Sequence, residues 1–497
     1  MKEPFTLYSS GIALARFAAE HADITHSGRD ILGLDFSEPR PMTAQNDTDY
    51  AAVKLQPYRL LTLRTEFEAA AASAPAEFSV DGLRYTRAER NGLLYYIQRG
   101  VKFPCDALFR DGRLIAWLCP CREQANLLVR DGFEEYTPLT LWKDYAARPL
   151  YGVSMLGTFH MPMRDGVELA ADVYLPEGAP LPVPALLVRT PYDKDDGAQT
   201  YFRYVRRGYA VVVQDVRGRN ESGGEWLPHY YEVEDGDDTL TWVGTQEWCD
   251  GSVGMLGGSY LGYTQWCAAA LGNPYLKAMI SVVTAGTAFA DGPLHGGCFS
   301  SGGFAWNFAM AKRRFAPERL ERADRYEILD IRRLEDIGQK ALGEDVPFIR
   351  KMLAHPCEDS FWLRGNWAKR STGKTVPVLI QSGWFDDNGM GTTEALDLTA
   401  GYPPGTRKVV LGPWQHSGNS RYDLHALSFP AGALRFDLDL LYQKWFDHFL
   451  RGEENGVEQS APVEYYTMGE NRWKTASRWP VENADDTPFY FGENGTL

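Results

Sequence analysis

Nowhere does the chain carry an uninterrupted apolar run close to the roughly 18–20 residues that a membrane-spanning helix needs. Its opening, MKEPFTLYSSGIALARFAAEHAD, holds only a short apolar patch, with Arg16 and Glu20 where a secretory signal needs its apolar region. The patch reads as an amphipathic helix and the protein as cytoplasmic, with no membrane partner. Cysteine is scarce: seven residues, an odd number scattered over 497, argue for reduced thiols rather than a disulfide framework. Cys119-Pro120-Cys121 has neither a second pair nor a nearby histidine cluster to complete a zinc site, so it reads as a pair of strand-end cysteines; no metal or other cofactor is expected. Positive charge is also short, with 51 Lys and Arg against 66 Asp and Glu, a formal net charge of −15. That balance disfavours nucleic acid as a partner. Internal repeats and low-complexity tracts are absent.

What remains is the composition of a globular protein, 44% hydrophobic and 24% charged, long enough for two or three domains. Residues 1–150 read as an N-terminal α+β accessory domain: a helical start, the alanine-rich EFEAAAASAPAEF, then short strand-like runs broken by Asp-Gly turns. From about residue 154 the pattern changes. MLGTFHMPMRDGVELAADVYLPEG alternates around an Asp-Gly turn like an antiparallel hairpin. PALLVRTPY, YAVVVQDVRG and SVGMLGGSY follow as short Val- and Leu-rich runs separated by helix-length segments, the signature of a parallel sheet buried on both faces. An α/β domain is expected in two parts, 151–295 and 373–455, interrupted by a charged helical insertion over 296–372. Residues 456–497 return to β pattern.

Ester and amide hydrolysis by serine needs a nucleophile beside an imidazole base, an acid to orient the imidazole, and donors for the oxyanion. On an α/β-hydrolase sheet these residues follow strands in the chain order Ser, Asp or Glu, His. Here Ser259 closes SVGMLGGS, Asp386 or Asp387 closes VLIQSGWFDD, and His416 closes VVLGPWQH. Each is weak alone, and the usual G-x-S-x-G form fails because Leu261 stands where the second glycine belongs. Three such strand ends in the right order are hard to obtain by accident.

These segments resemble the family of cocaine esterase, α-amino-acid ester hydrolases and Xaa-Pro dipeptidyl-peptidases. Gly257-Gly258-Ser259-Tyr260-Leu261-Gly262 matches the family's G-x-S-Y-x-G, so the displaced glycine is a family trait; RTPYDK, DVRGRNESGGEW, GWFDD and LGPWQHSG are similar to its other motifs. The resemblance covers about residues 154–480 and implies an α/β-hydrolase fold with a helical cap. It further implies Ser259 as nucleophile, His416 as base and Asp386 as the orienting acid, with the Tyr260 N–H and the Tyr192 phenol as oxyanion donors. Asp215 and Arg217 are read as a structural ion pair. Two departures stand out: some 150 residues precede the family's opening hairpin, and the β-sandwich jelly roll that ends the family, with about eight strands, is only begun by residues 456–497. The expectation is a chain cut from a longer protein, a second chain that completes the sandwich, or a homo-oligomer.

The resemblance places the cap over Ser259. Phe304, Trp306, Phe308, Trp362 and Trp367 offer aromatic surface for an acyl or aryl group, against a bland role as cap core, and Asp291 lies where relatives that accept a free α-amine place a carboxylate. The expected function is a serine hydrolase acting on small esters or amides, with an Xaa-Pro dipeptidyl-peptidase as the alternative and a non-catalytic binding protein of the same fold as the third reading.

Overall fold

The N-terminal patch expected to be an amphipathic helix is instead a β-hairpin in the computed structural model, which describes all residues except 1, 22, 30–34, 293, 296–297, 483 and 493–497. Strands β1 (Glu3–Ser9) and β2 (Ile12–Glu20) pair antiparallel with Ser9 opposite Ile12. Ser10 and Gly11, both at positive φ (48° and 73°), form the tight turn, a backbone whose twist suits a two-residue hairpin. Phe5 and Leu7, then Ile12, Leu14, Phe17 and Ala19, point into the core. The governing period is therefore mostly two, and the alanines between, at home in either structure, disguised it.

The hairpin belongs to a ten-stranded antiparallel sheet, ordered β4-β3-β2-β1-β10-β9-β8-β7-β6-β5. The other strands are β3 (Asp23–Arg29), β4 (Asp35–Pro41), β5 (Glu77–Val80), β6 (Leu83–Arg90), β7 (Leu93–Gln98), β8 (Asp106–Arg110), β9 (Arg113–Cys121) and β10 (Gln124–Arg130). One long helix, Pro57–Ala71, begins on a proline that has no N–H to lose. It seats Phe67 edge-on against Tyr85 and Trp117 in the core of this sheet. Cys119 and Cys121 are buried at the end of β9.

The second sheet also has ten strands, ordered β11-β12-β14-β13-β15-β16-β19-β20-β23-β24. Strands β11 (Gly152–Pro162) and β12 (Glu168–Glu177) form the expected hairpin. Parallel pairing then runs through β14 (Ala210–Asp215), β13 (Val183–Thr190), β15 (Cys249–Gly258), β16 (Leu276–Val282), β19 (Val378–Phe385) and β20 (Arg407–Gln415). Every residue of β13 and β14 is buried, because helices cover both faces. Glu232–Gly244 and Tyr260–Ala270 pack on one side and Leu438–Arg451 on the other. Between β16 and β19 lies the helical insertion, with its own core of Phe304, Phe308, Ile349 and Trp362 and a small hairpin, β17 (Leu294–His295) with β18 (Cys298–Phe299). A second small hairpin, β21 (Asp423–Leu424) with β22 (Leu427–Ser428), follows β20. Residues 456–497, expected to begin a β-sandwich, supply the described strands β23 (Val463–Thr467) and β24 (Arg472–Ala476), and both join the main sheet: Val463 pairs in parallel with Val409, and Trp473 packs on Trp414.

The two sheets meet in a shared core. Ile97, Leu108, Ile115 and Leu118 from the first pack with Val410, Trp414, Tyr422 and Phe436 from the second. Buried Asp106 accepts hydrogen bonds from the hydroxyls of Tyr95 and, at 2.6 Å, Tyr422. Burial pushes its carboxyl up to about 6. Among the described residues no helix is long and apolar enough to cross a membrane, and all seven cysteines are unpaired.

Candidate active site

Ser259 stands at the abrupt junction of β15 and helix Tyr260–Ala270, with φ 60° and ψ −122°. A non-glycine residue held there costs of order 1–3 kcal/mol and persists only where its surroundings over-determine it. They do: the Ser259 N–H donates to the Val282 carbonyl at 3.0 Å, and its own carbonyl accepts from Gly262 and Tyr263 at 2.9 and 3.0 Å. The glycine spacing has a steric cause. A Cβ on Gly262 would sit 2.7 Å from Thr284 Oγ1, and one on Gly257 2.6 Å from Leu261 Cβ. The turn thus demands a missing side chain at 257 and 262 and has room for leucine at 261, which accounts for GGSYLG.

His416, just past the end of β20, brings Nε2 to 2.9 Å from Ser259 Oγ and Nδ1 to 2.8 Å from Asp386 Oδ1. Asp386, just past β19, has a fully buried side chain that receives two further donors, Asn388 N–H on Oδ1 at 3.1 Å and Ser382 Oγ–H on Oδ2 at 2.7 Å. A carboxylate so held fixes Nδ1 as the protonated nitrogen and leaves Nε2 to accept from the serine. Asp387 also approaches Nδ1, at 3.4 Å, but its side chain is 77% exposed. Burial disfavours the imidazolium, yet the hydrogen bond and charge of Asp386, with Asp387 beside it, hold the His416 pKa above the ordinary histidine value. Asp386, Asp387 and His416 are also the only group of three metal-ligating side chains gathered among the described residues; an ion there would compete for the Nδ1 position that Asp386 engages.

Tyr260 opens its helix, where backbone N–H groups have no intrahelical acceptor. Tyr192 follows β13; its hydroxyl oxygen accepts from Trp306 Nε1 at 3.2 Å, which leaves its own proton to give, and burial raises its pKa. Ser259, His416, Tyr192, Tyr260, Trp306 and Asp291 all border one cavity of about 1020 Å³ beneath the helical insertion. Asp291 is 2% exposed. Its Oδ2 accepts from Gly391 N–H at 2.6 Å, while Oδ1 has no hydrogen bond and lies 3.3 Å from His295 Nε2. Burial pushes this carboxyl up to about 7.

Other expected residues fall elsewhere. Phe304 does not border the cavity: its ring stacks on Phe299 and packs with Phe308 inside the insertion. Trp362 is buried in the same core, and Trp367 stacks on Trp266 beneath the main sheet. Asp215 and Arg217 are not a pair. Asp215 accepts from Lys194 N–H and Asn220 Nδ2, whereas Arg217, two residues past the strand, turns away to Asp165 and Asp235 at 2.8 and 2.6 Å.

Two cavity residues escaped the sequence reading. His229, at φ 62°, is buried against the rings of Tyr260 and Tyr263, and burial lowers its pKa to about 3, so it is neutral. Arg122 comes from the turn between β9 and β10, far away in sequence. Neither lies at the end of a central strand, the signal that revealed the other residues.

A mainly parallel sheet with a sharply turned serine after β15, an acid after β19 and a histidine after β20, in that chain order, defines the α/β-hydrolase class. A family model, X-Pro dipeptidyl-peptidase (S15 family), matches residues 165–418, and the chain belongs to that family. It is 34% identical over 370 residues to cocaine esterase of Rhodococcus sp. (strain MB1 Bresler), covering 69% of this chain and 63% of that one. Among solved structures it resembles an aminopeptidase of a marine-sediment Thaumarchaeota archaeon, with TM-score 0.59, 25% identity, and 69% and 62% of the two chains covered. It also resembles an α-amino acid ester hydrolase, with TM-score 0.56, 26% identity and 67% and 59% covered. The chain thus spans less than two thirds of the length of these relatives.

Proposed function

We propose that the chain is a serine hydrolase that cleaves esters or amides of small acyl compounds through an acyl-enzyme. The observation that carries this reading is the continuous hydrogen-bonded line from Ser259 Oγ through His416 to the buried Asp386. His416 Nε2 takes the serine proton as Oγ attacks the carbonyl carbon; the oxyanion is received by the Tyr260 N–H and the Tyr192 hydroxyl. His416, now an imidazolium paired with Asp386, returns the proton to the leaving oxygen or nitrogen, and water then repeats the cycle on the acyl-enzyme. In this reading residues 1–150 are an accessory domain, 151–295 and 373–455 the hydrolase and 296–372 the cap, while strands β23 and β24 of 456–497 extend the hydrolase sheet. The seven unpaired cysteines support a reducing compartment, the cytoplasm.

A second reading, release of dipeptides with proline in second place, is favoured by one observation: the buried carboxylate of Asp291 borders the cavity with an oxygen free of hydrogen bonds, suited to an N-terminal ammonium. A panel of p-nitrophenyl esters beside Gly-Pro and Ala-Pro anilides, each with Ser259→Ala as control, separates the two. Turnover of neither class, or turnover that survives in Ser259→Ala, would overturn the serine-hydrolase assignment.

A further inference from the structure

Arg122 is a residue of the N-terminal sheet that reaches the hydrolase cavity, and it lies outside the segment matched by the family model. Its backbone is fixed there. Held at φ 52° between β9 and β10, its N–H donates to the Asn419 carbonyl at 2.9 Å and its carbonyl accepts from Asn419 Nδ2 at 3.0 Å. Asn419 stands three residues beyond His416 and is fully buried, its amide also engaged with the Arg435 backbone. Arg122 is exposed at the cavity's border, and its guanidinium has no hydrogen bond and no carboxylate within ion-pair distance among the described residues. It is also the only arginine or lysine side chain among the described residues that border the cavity. Five carboxylates border the same space: Glu123, Asp193, Asp196, Asp291 and Asp387. Against this mostly acidic lining, Arg122 is the residue whose charge attracts an anion.

The side of the cavity follows from the chemistry. Arg122 is tied through its backbone to Asn419, in the loop that follows His416. His416 is the group that hands its proton to the departing atom, so the neighbouring space holds the leaving group. Asp291 and Trp306 belong instead to the insertion between β16 and β19. Resting on the serine-hydrolase reading, we propose that Arg122 anchors a carboxylate carried by the leaving group, so that the preferred substrates are esters or amides of hydroxy or amino acids with a free carboxyl. The planar guanidinium suits this partner, because it can meet both carboxylate oxygens at once.

The test uses a matched pair with the same acyl group, 4-acetoxybenzoate and methyl 4-acetoxybenzoate. The ratio of their kcat/KM values cancels any general damage to the enzyme. In Arg122→Gln the ratio of acid to methyl ester should fall about tenfold, whereas Arg122→Lys, which keeps the charge, should retain most of it. An equal ratio in wild type and Arg122→Gln overturns the proposal. A fall seen only with mono-4-nitrophenyl glutarate, whose carboxylate is on the acyl side, overturns the placement. Methyl ester turnover that persists in Ser259→Ala would instead sink the serine-hydrolase reading. If no ester is turned over, calorimetry of 4-hydroxybenzoate and its methyl ester on the Ser259→Ala protein, with and without Arg122→Gln, makes the same comparison by binding.

Discussion

Replacing Asp386 by Asn tests the acid assignment, and the local donors decide how large the loss will be. Where an amide turns its NH2 toward the imidazole, the wrong tautomer results and about 10⁴-fold in kcat is lost. Here Oδ1 accepts from the Asn388 backbone N–H as well as from His416, and a backbone N–H cannot reverse its role. An asparagine carbonyl at that position keeps both donors, and its NH2 faces Ser382 Oγ, a hydroxyl that can rotate and accept. The tautomer survives and only the negative charge is lost. Two unit charges about 4 Å apart at an effective dielectric of about 20 interact by roughly 4 kcal/mol, so the expected loss is about 10²–10³-fold. The pH profile should move as well. His416 must be neutral to act, so kcat/KM rises as pH passes its raised pKa. Without the Asp386 charge that pKa falls, and the acid limb shifts to lower pH. Exposed Asp387 should yield less than about a threefold change as Asp387→Asn, because solvent screens its charge. Steady-state kinetics on p-nitrophenyl acetate from pH 5 to 9, beside melting curves, make the measurement. A greater loss for Asp387→Asn refutes the assignment; a 10⁴-fold loss for Asp386→Asn with an unmoved acid limb refutes the argument from the donors.

Tyr192→Phe should lower kcat by about 10²–10³-fold with little change in KM, since its proton is given to charge that develops in the transition state; an unchanged kcat in stopped assays would leave Tyr192 a structural residue. Gly262→Ala should destabilise the fold by about 1–3 kcal/mol, because its Cβ would press on Thr284 Oγ1 at 2.7 Å; a melting temperature equal to wild type would contradict the steric account of the turn. Tyr422→Phe removes one of the two hydroxyls that donate to buried Asp106 between the sheets and should cost about 1–3 kcal/mol in denaturant unfolding. No loss would mean that this hydrogen bond does not bind the two units together.

The hydrolase sheet was legible because β13, β14 and β15 are apolar on both faces and each ends in a polar or glycine-rich residue. Ser259, Asp386 and His416 were legible for the same reason. What the sequence hid was long-range or ambiguous. The β1–β2 hairpin read as a helix because Ala13, Ala15, Ala18 and Ala19 fit either periodicity, and only pairing of β1 with β10, more than a hundred residues away, decides it. Phe304 and Trp306 are two residues apart on one helix, so they face different directions, and no local pattern says which one meets the cavity. Arg122 and His229 arrive from turns whose place is fixed by tertiary contacts alone.

The most direct test of the central claim is to treat the protein with a fluorophosphonate and map the adduct by peptide mass spectrometry. A serine activated by the geometry at the end of β15 predicts a single stoichiometric adduct on Ser259, lost in His416→Ala. No adduct, or one on another residue while Ser259 stays free, would contradict it.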